Sequence, residues 1–243
     1  MNSAKIIFTP IKIIENEDVV DLIWNYFACL YKNGQVLKNY ELIKANDDFI
    51  MFVTLPQNDA LNEEYHNIYS FEYMVQIKEV FKISMEIIGE NLNYGESCTC
   101  EKSSWYMLYT DYSEHDSPVV CGDCDKSVPL YLLPHMFKEN EYHGILGWKE
   151  AYSGIDSLWF YSLSDRFTYR QLNNVDSQLS KIGFDICKEL ERVTNIPTYY
   201  YLFQYEKSKE MCPICGSDWK VDNENDCIDY KCDKCRLVAD KLI

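Results

Sequence analysis

The C-terminal stretch of residues 206–243 reads EKSKEMCPICGSDWKVDNENDCIDYKCDKCRLVADKLI and contains two C-x-x-C pairs. The pairs are Cys212 with Cys215, and Cys232 with Cys235. A C-x-x-C turn points both of its sulfur atoms inward, so two such turns can hold one metal ion in a tetrahedron of thiolates. Gly216 directly follows the first pair and can take the positive φ that this turn needs. The spacing therefore predicts a zinc ribbon, with iron as the main alternative metal.

A second set of cysteines lies in the middle of the chain: Cys98, Cys100, Cys121 and Cys124. C-x-C is a tighter pair than C-x-x-C, but the segment between the two pairs is long enough to run out and return, so we expect a second metal site. His115 lies in that segment and is an alternative ligand, although a histidine on a polar loop is more often solvated. A thioredoxin-like dithiol in CGDC would need a helix N-terminus to lower the pKa of a thiol. The neighbouring aspartates would raise that pKa, so we disfavour a redox role for CGDC.

The other three cysteines do not form pairs. We interpret Cys29 and Cys187 as small core residues within helical patterns, and Cys227 as an incidental free thiol.

Both quartets are interpreted as structural sites. Four thiolates close the coordination shell of zinc, whereas a catalytic zinc keeps one position open for water. The sequence has no Gly-rich phosphate loop, H-E-x-x-H helix or G-x-S-x-G elbow, and Val120 stands where a zinc deaminase has a proline. An alternative is an enzyme whose pocket is lined by helical residues: Tyr142, His143, Trp148, Tyr152 and Asp156. Aromatic residues at helical spacing more often belong to a core, so enzyme activity has no support and no catalytic residue is assigned.

The composition indicates a globular protein. The chain has 243 residues, of which 47% are hydrophobic and 15% aromatic, which is enough to build a buried core. Its apolar runs are far shorter than the roughly 18 residues of a membrane-spanning helix, and the N-terminus lacks the pattern of a signal peptide. Paired cysteines in such a chain indicate metal-bound thiolates in a reducing compartment, so we expect a cytoplasmic protein without membrane contact.

The net charge bears on the class of partner. It is −16, and two zinc ions with four thiolates each would bring it to about −20. Such a chain repels nucleic acid and attracts basic proteins. We therefore expect a non-catalytic zinc-binding interaction module for a basic protein partner, for example an inhibitor or immunity-type protein.

The alternative function is nucleic-acid binding, in which the ribbon would contact the nucleic acid. The residues that would form its basic and aromatic surface are Lys220, Lys231, Lys234, Arg236, Trp219 and Tyr230. In residues 206–243, however, Lys and Arg do not outnumber Asp and Glu. We therefore favour ordinary solvated hairpin residues, with Trp219 packed over the metal-binding turn.

Hydrophobic periodicity predicts an α+β fold. Strands are expected at 4–14, 48–56, 81–89, 105–109 and 196–205, and helices at 18–31, 60–80, 141–160 and 176–194. Leu179, Ile182, Ile186, Leu190 and Val193 share one predicted face of the last helix. The predicted order is a mixed α/β N-terminal layer, a zinc-pinned middle segment, a helical region and a C-terminal zinc ribbon. We divide it into an α+β domain over 1–205, with a metal-binding segment at 95–134, and a ribbon over 206–243.

Several blocks of the sequence share a family pattern. They are SPVVCGDCDKSVPLYLLP at 117–134, VDSQLSKIGFDIC at 175–187, IPTYYYLFQY at 196–205, and CPICGSDW with YKCDKCRLV at 212–219 and 230–238. Together they resemble an uncharacterised bacterial family of zinc-ribbon-containing proteins that has been suggested to bind nucleic acid. The resemblance spans most of residues 95–240 and implies that the last four paired cysteines form the family's ribbon and that CGDC belongs to its pattern. It implies no activity, because the suggestion of nucleic-acid binding follows from the ribbon itself.

Overall fold

The computed structural model describes residues 1–12, 16–113, 116–205, 210–221 and 228–240. These residues form two compact units, and the chain passes between them more than once. The first unit comprises Met1–Ser97, His115–Ser117 and Ser127–Tyr142, and the second comprises Cys98–Glu114, Pro118–Lys126 and His143–Ile243. Helices and sheets occur in both, so the predicted α+β class is confirmed.

The first unit is built on a four-stranded sheet with two helices. Its elements are β1 (Asn2–Pro10), α1 (Asn16–Lys32), β2 (Glu41–Ala45), β3 (Asp48–Leu55), a 3-10 turn (Glu63–Tyr65), α2 (Ile68–Val80) and β4 (Phe81–Glu90), followed by a 3-10 turn at Leu130–Leu132. The strand order is β2-β3-β1-β4 with every neighbouring pair antiparallel. This β-α-β-β-α-β order is the ferredoxin-like arrangement.

The core of this unit lies on one face of the sheet. Phe8 of β1 and Met51 of β3 are fully buried together with Ile23, Phe27 and Leu30 of α1. The three α1 residues are spaced by four and three positions, which is the period that aligns side chains on one side of a helix. The helix predicted at 18–31 is therefore confirmed, and these three apolar residues lie on one side of it.

The second predicted helix begins later than residue 60. Residues 63–65 form a separate 3-10 turn, and α2 starts after Asn67, whose side chain accepts a hydrogen bond from the backbone nitrogen of Ser70 at 2.8 Å. Such a cap satisfies one of the free N–H groups at a helix start and fixes the boundary there. The sequence reading missed this cap because aromatic residues continue on both sides of it.

The second unit is built on a five-stranded sheet with three helices. Its elements are β5 (Tyr106–Leu108), β6 (Val119–Cys121), α3 (His143–Phe160), α4 (Asp165–Asn173), α5 (Gln178–Thr194), β7 (Thr198–Tyr201), β8 (Tyr230–Cys232) and β9 (Leu237–Ala239). The strand order is β6-β5-β7-β9-β8. The inner pairs β5–β7 and β7–β9 are parallel, and the outer pairs β5–β6 and β8–β9 are antiparallel.

Close packing of α5 on β7 sets the buried face of that helix. Gly183 faces Tyr200, and a Cβ atom at Gly183 would lie 2.3 Å from the tyrosine ring. Leu179, Ile186 and Leu190 are buried beside it, as predicted, but Ile182 is 42% exposed. The prediction for Ile182 was wrong because the face is centred on a glycine, which a search for apolar residues passes over.

The last part of the chain joins the same sheet as residues from the middle. Strand β9 lies between β7 and β8, so residues 237–239 pair with residues on both sides of the proposed boundary between 205 and 206. By spatial contacts, residues 210–240 thus belong to the second unit. Strands β2, β6 and β9 and helix α4 had no counterpart among the predicted elements. Among the residues described, no helix has the length and apolar character needed to cross a membrane.

Candidate metal centres

The four paired cysteines of the C-terminal region come together in one cluster. The sulfur atoms of Cys212, Cys215, Cys232 and Cys235 all lie within 4.8 Å of one another. The Sγ atoms of Cys215 and Cys232 are 3.7 Å apart. In a tetrahedron with zinc–sulfur bonds of about 2.3 Å, neighbouring sulfur atoms are about 3.8 Å apart. This set, which we call the C-terminal quartet, therefore has the dimensions of a zinc tetrathiolate.

Backbone hydrogen bonds shape the first turn of the C-terminal quartet. The nitrogen of Gly216 donates to the carbonyl oxygen of Cys212 at 2.9 Å, and Gly216 has the positive φ of 68° that its type allows. Hydrogen bonds from Ser217 lower the pKa of the Cys215 thiol to about 6. Burial raises the pKa of the Cys235 thiol, so a bound cation would be needed to keep that sulfur ionised.

The middle cysteines form a second cluster of the same size. The sulfur atoms of Cys98, Cys100, Cys121 and Cys124 also lie within 4.8 Å of one another, and we call this set the middle quartet. The backbone nitrogen of Cys100 donates to Cys98 Sγ at 3.4 Å, which closes the C-x-C turn. Burial disfavours the thiolate of Cys121, but hydrogen bonds, chiefly with Ser103 Oγ at 3.1 Å, lower its pKa overall. C-x-C spacing thus suffices to bring all four sulfur atoms together.

The turn of CGDC is fitted against a tryptophan. The nitrogen of Gly122 donates to the carbonyl oxygen of Trp105 at 2.9 Å, and a Cβ atom at Gly122 would lie 1.9 Å from the indole ring. The side chain of Asp123 accepts hydrogen bonds from Ser104, including one from its backbone nitrogen at 2.6 Å. Residues 122–124 form a turn and no helix starts at Cys121, so the geometry offers no thioredoxin-like helix N-terminus.

The two quartets lie at opposite edges of the five-stranded sheet. Cys121 ends the edge strand β6, and Cys232 ends the other edge strand, β8. Between them, Lys231 Nζ lies 3.9 Å from the ring centre of Trp105 and 4.6 Å from that of Tyr199. These cation–π contacts connect β8, which carries Cys232, with Trp105 just before β5 and with Tyr199 of β7. The sheet therefore links the two candidate metal centres within one unit.

An ion pair attaches the C-terminal quartet to α5. Arg236 follows Cys235, and its Nε and Nη2 atoms donate to the two carboxylate oxygens of Glu191 at 2.9 and 3.0 Å. These hydrogen bonds hold the pKa of Glu191 below its usual range. A bidentate pair of this kind fixes orientation as well as distance.

Most of the ribbon residues that would contact nucleic acid are buried or paired in the structure. Trp219 is only 2% exposed and its ring centre lies 5.2 Å from that of the buried Tyr230. Lys231 lies over the aromatic rings of the sheet, and Arg236 is paired with Glu191. Lys220 and Lys234 are exposed. The two aromatic rings assigned to base stacking are thus core residues. The favoured interpretation as an ordinary hairpin predicted an inward position for Trp219 but not for Tyr230.

Other singled-out residues are placed away from the quartets. Cys187 is buried and Cys29 half-buried.

Trp148 and Tyr152 pack near Tyr200 in the core of the second unit, whereas Tyr142 belongs to the first unit and His143 is exposed. Asp156 accepts a hydrogen bond from the nitrogen of Tyr112 at 2.9 Å, and burial raises its pKa. The structure therefore does not bring these five helical residues into one pocket. His115 and Cys227 lie outside the described residues.

The sequence reading missed an aromatic pocket in the second unit. It has a volume of about 650 Å³ and is lined by Trp159, Phe160, Ser162, Asp165, Arg166, Tyr169 and Tyr205. The signal was the segment LWFYSLSDRF at 158–167, whose large apolar residues occupy adjacent positions that one helix face cannot bury. In the structure, Leu158, Phe160, Tyr161, Leu163, Phe167 and Tyr205 are all exposed. We call these six residues the aromatic patch.

Comparison with solved structures gives only weak similarity. A conserved protein of unknown function from Bacteroides thetaiotaomicron matches with a TM-score of 0.30 and 15% identity, covering 37% of this chain and 98% of its own. SnoaB, a cofactor-independent oxygenase from Streptomyces nogalater, matches with a TM-score of 0.31 and 6% identity, covering 37% of this chain and 95% of its own.

Sequence comparison gives stronger relationships. Residues 100–203 match the domain of unknown function DUF2310, and residues 204–241 match the domain of unknown function DUF8594. An uncharacterized protein of Haemophilus influenzae is 28% identical over 239 residues, covering 89% of this chain and 86% of the relative. Another from the same organism is 30% identical over 167 residues, covering 63% of this chain and 79% of the relative. The chain therefore belongs to the uncharacterised family that carries DUF2310 together with DUF8594.

Proposed function

We propose that this protein is a non-catalytic, zinc-stabilised interaction module whose partner is a basic protein. The observation that carries the proposal is the closure of both quartets. Each has four sulfur atoms within 4.8 Å of one another, which would fill the tetrahedral shell of one ion and leave no position for a substrate or an activated water. Placed at the two edges of one sheet, the two ions would hold a surface in shape, and the surface would carry the function.

Zinc is the metal that this donor set favours. Four thiolates at tetrahedral spacing are typical of structural zinc and of iron–sulfur sites, and the short turns of both quartets suit a single ion. Zinc would also keep the eight sulfur atoms as thiolates without redox chemistry. We propose the cytoplasm as the compartment, because eight free thiols persist in a reducing environment.

The basic partner is proposed from charge and exposed apolar surface. With a net charge of −16, the protein attracts cationic surfaces and steers their approach. The aromatic patch supplies six large exposed side chains in the second unit. Contiguous exposed apolar residues mark interaction sites in soluble proteins, and aromatic side chains contribute most at the centres of interfaces. An inhibitor or immunity-type protein that covers a cationic active groove is one form of this function.

Metal content is the first test. Elemental mass spectrometry of protein purified without a metal-affinity column should give two zinc ions per chain. Cys212→Ser and Cys121→Ser should each retain one ion, whereas Cys29→Ser, a thiol outside both quartets, should retain two. Iron at either quartet, or a middle quartet without metal, would contradict the proposed cofactors.

Partner capture is the second test. The zinc-loaded, tagged chain is incubated with bacterial lysate at about 0.05 M and about 0.5 M NaCl, and bound proteins are identified by mass spectrometry. We expect enrichment of basic proteins at low salt and its loss at high salt. The control is the double variant Phe160→Ser and Phe167→Ser, which keeps the charge and removes two rings of the aromatic patch. Equal recovery of basic proteins by both chains would contradict a role for the patch, and recovery of none would contradict the proposal.

Nucleic-acid binding through the ribbon remains the alternative proposal. It is tested by fluorescence anisotropy with a labelled single strand and a labelled duplex at low salt. Binding that weakens steeply with salt and is reduced in Lys220→Ala with Lys234→Ala would favour the alternative over a protein partner.

A further inference from the structure

The outer edge of the sheet in the first unit is formed by β4, a strand of ten residues. Its inner edge pairs with β1 from Asn2 to Pro10. In the ranges that the structure describes, no strand pairs with its outer edge. Every residue from Ser84 to Glu90 is exposed. The backbone N–H and C=O groups on that side are therefore free to pair with another strand.

The side chains of β4 make this edge apolar. Ile83, Met85 and Ile87 pair with Phe8, Ile6 and Ala4 of β1, so they share the sheet face on which the core is built. Met85 is nevertheless 47% exposed and Ile87 37% exposed, because they lie at the margin of that face. Natural edge strands are usually short or charged, since a long apolar edge invites pairing. The opposite edge, β2, fits that rule with five residues, including Glu41 and Lys44.

We propose that β4 is a homodimer interface, in which the strand pairs antiparallel with β4 of a second copy to form one continuous eight-stranded sheet. The apolar row reads Ile83, Met85, Ile87, which is nearly the same in both directions. Two-fold antiparallel pairing centred on Met85 places Met85 opposite itself and Ile83 opposite Ile87. All six apolar side chains then cover one another across the axis.

The charges of β4 agree with this register. On the other face, Glu86 lies opposite Ser84 of the second copy, so no two like charges are directly opposed. The diagonal neighbours of Glu86 in the second copy are Lys82 and Glu86, and Lys5 of β1 pairs with Glu86 within the same copy, so the two glutamates that approach across the axis are flanked by lysines. Ile88 occupies a bulge, where the register with β1 shifts between Ser3 and Ala4, and regular pairing would end there. The interface is thus self-complementary and closes as a dimer.

The total charge gives the dimer a distinctive dependence on salt. Each copy carries −16, so association at low ionic strength works against long-range repulsion. Salt screens this repulsion, and the Debye length is only about 8 Å at physiological ionic strength. The dimer should therefore tighten as salt is raised, whereas binding of a basic partner should weaken. This opposite dependence separates the dimer from the proposed function, on which it does not rest.

The test is sedimentation velocity of the zinc-loaded full chain between about 1 and about 100 µM, at low and high salt. We expect a species of twice the monomer mass of 28.7 kDa, with a lower dissociation constant at high salt. Met85→Lys should raise the dissociation constant at least about tenfold, because two ammonium groups would meet at the axis. Ile43→Lys, the same change at an exposed residue of the opposite edge strand, should leave it unchanged.

A mixing experiment tests the register directly. Met85→Lys and Met85→Glu should each be monomeric alone, and an equimolar mixture should form a heterodimer, because the two new charges would face each other only if residue 85 lies on the axis. Circular dichroism checks that each variant is folded. A wild-type chain that remains monomeric at high salt, a dimer that survives Met85→Lys, or a mixture that does not associate would overturn the proposal.

Discussion

At the scale of single residues, Gly122 in the turn of the middle quartet has no room for a side chain. A Cβ atom there would lie 1.9 Å from Trp105, whose ring is held between the CGDC turn and Lys231. We predict that Gly122→Ala destabilises the zinc-loaded protein by about 1–3 kcal/mol, the usual range for overpacking. The measurement is the midpoint of urea unfolding followed by tryptophan fluorescence.

The chain offers a matched control for this substitution. Gly154 lies within α3, and apart from its chain neighbours and the backbone of its own helix no described heavy atom lies within 4 Å of the position of a Cβ. Gly154→Ala should therefore stabilise the protein by up to about 1 kcal/mol through helix propensity. If the two substitutions shift the midpoint in the same direction, the packing of the turn against Trp105 is not what Gly122 provides.

Asp240 is the residue with the clearest expected dependence on pH. Burial raises the pKa of its carboxyl to about 6, even though Tyr201 donates a hydrogen bond to Oδ2 at 3.1 Å. Its Oδ1 atom is buried and has no hydrogen-bond partner among the described residues. In the unfolded chain an aspartate ionises near pH 4. The folded state therefore loses stability from this group as the pH rises from about 4 to about 6, and the loss persists above that range.

Asp240→Asn should remove that loss. The variant should match the wild type below about pH 4 and be more stable by about 1 kcal/mol at pH 8, after allowance for the partial exposure of the side chain. Thermal unfolding at several pH values measures the difference. Asp185→Asn, at an exposed position of α5, serves as the charge-matched control and should show no such trend.

The cysteines and the glycines show what a sequence reveals at this scale. The eight paired cysteines were found because metal ligation imposes a local spacing that remains visible in one chain. The need for Gly183 could not be found in this way, because it depends on the ring of Tyr200 on a different element. For the same reason Ile182 was wrongly placed in the core.

At the scale of secondary-structure elements, the five-stranded sheet should couple the two quartets. The strands at its edges end in Cys121 and Cys232, and three short strands connect them. We predict that Cys121→Ser, which disrupts the middle quartet, speeds the removal of zinc from the C-terminal quartet by a chelator. A loss of about 1 kcal/mol in local stability would correspond to roughly a fivefold faster release.

The rate is measured with a colorimetric zinc chelator in stopped flow. Cys29→Ser removes a thiol of α1 in the other unit and should leave the rate unchanged. A release rate in Cys121→Ser equal to that of the wild type would show that residues 210–240 behave as an independent ribbon, in line with the division at residue 205.

Periodicity predicted the long elements well and the short ones poorly. The apolar stripe of α1 and the apolar run of β3 are local patterns, so they can be seen without the fold. Strand β2 has mostly exposed residues and depends on its pairing with β3, and α4 begins after Ser164, which has a positive φ of 60°. The order of the strands could not be predicted, because β7 pairs in parallel with β5 and β9, both distant in sequence.

At the scale of the whole molecule, the two units have different sources of stability. The first unit has an extended apolar core that includes Phe8, Phe27 and Met51, and neither quartet belongs to it. The second unit contains both quartets, and its strands have only three or four residues each. Strands this short provide few ladder hydrogen bonds, so metal binding should contribute a larger share of the folding free energy there.

Removal of metal should therefore unfold the second unit selectively. Hydrogen–deuterium exchange of the protein with a strong chelator should show loss of protection in β5, β7 and β9, while β1 and β3 remain protected as in the zinc-loaded protein. Addition of zinc in excess of the chelator should restore protection. Equal loss of protection in both sheets would mean that the first unit does not fold without the second. Full protection of β7 and β9 after the metal is removed would mean that the quartets do not hold that sheet together.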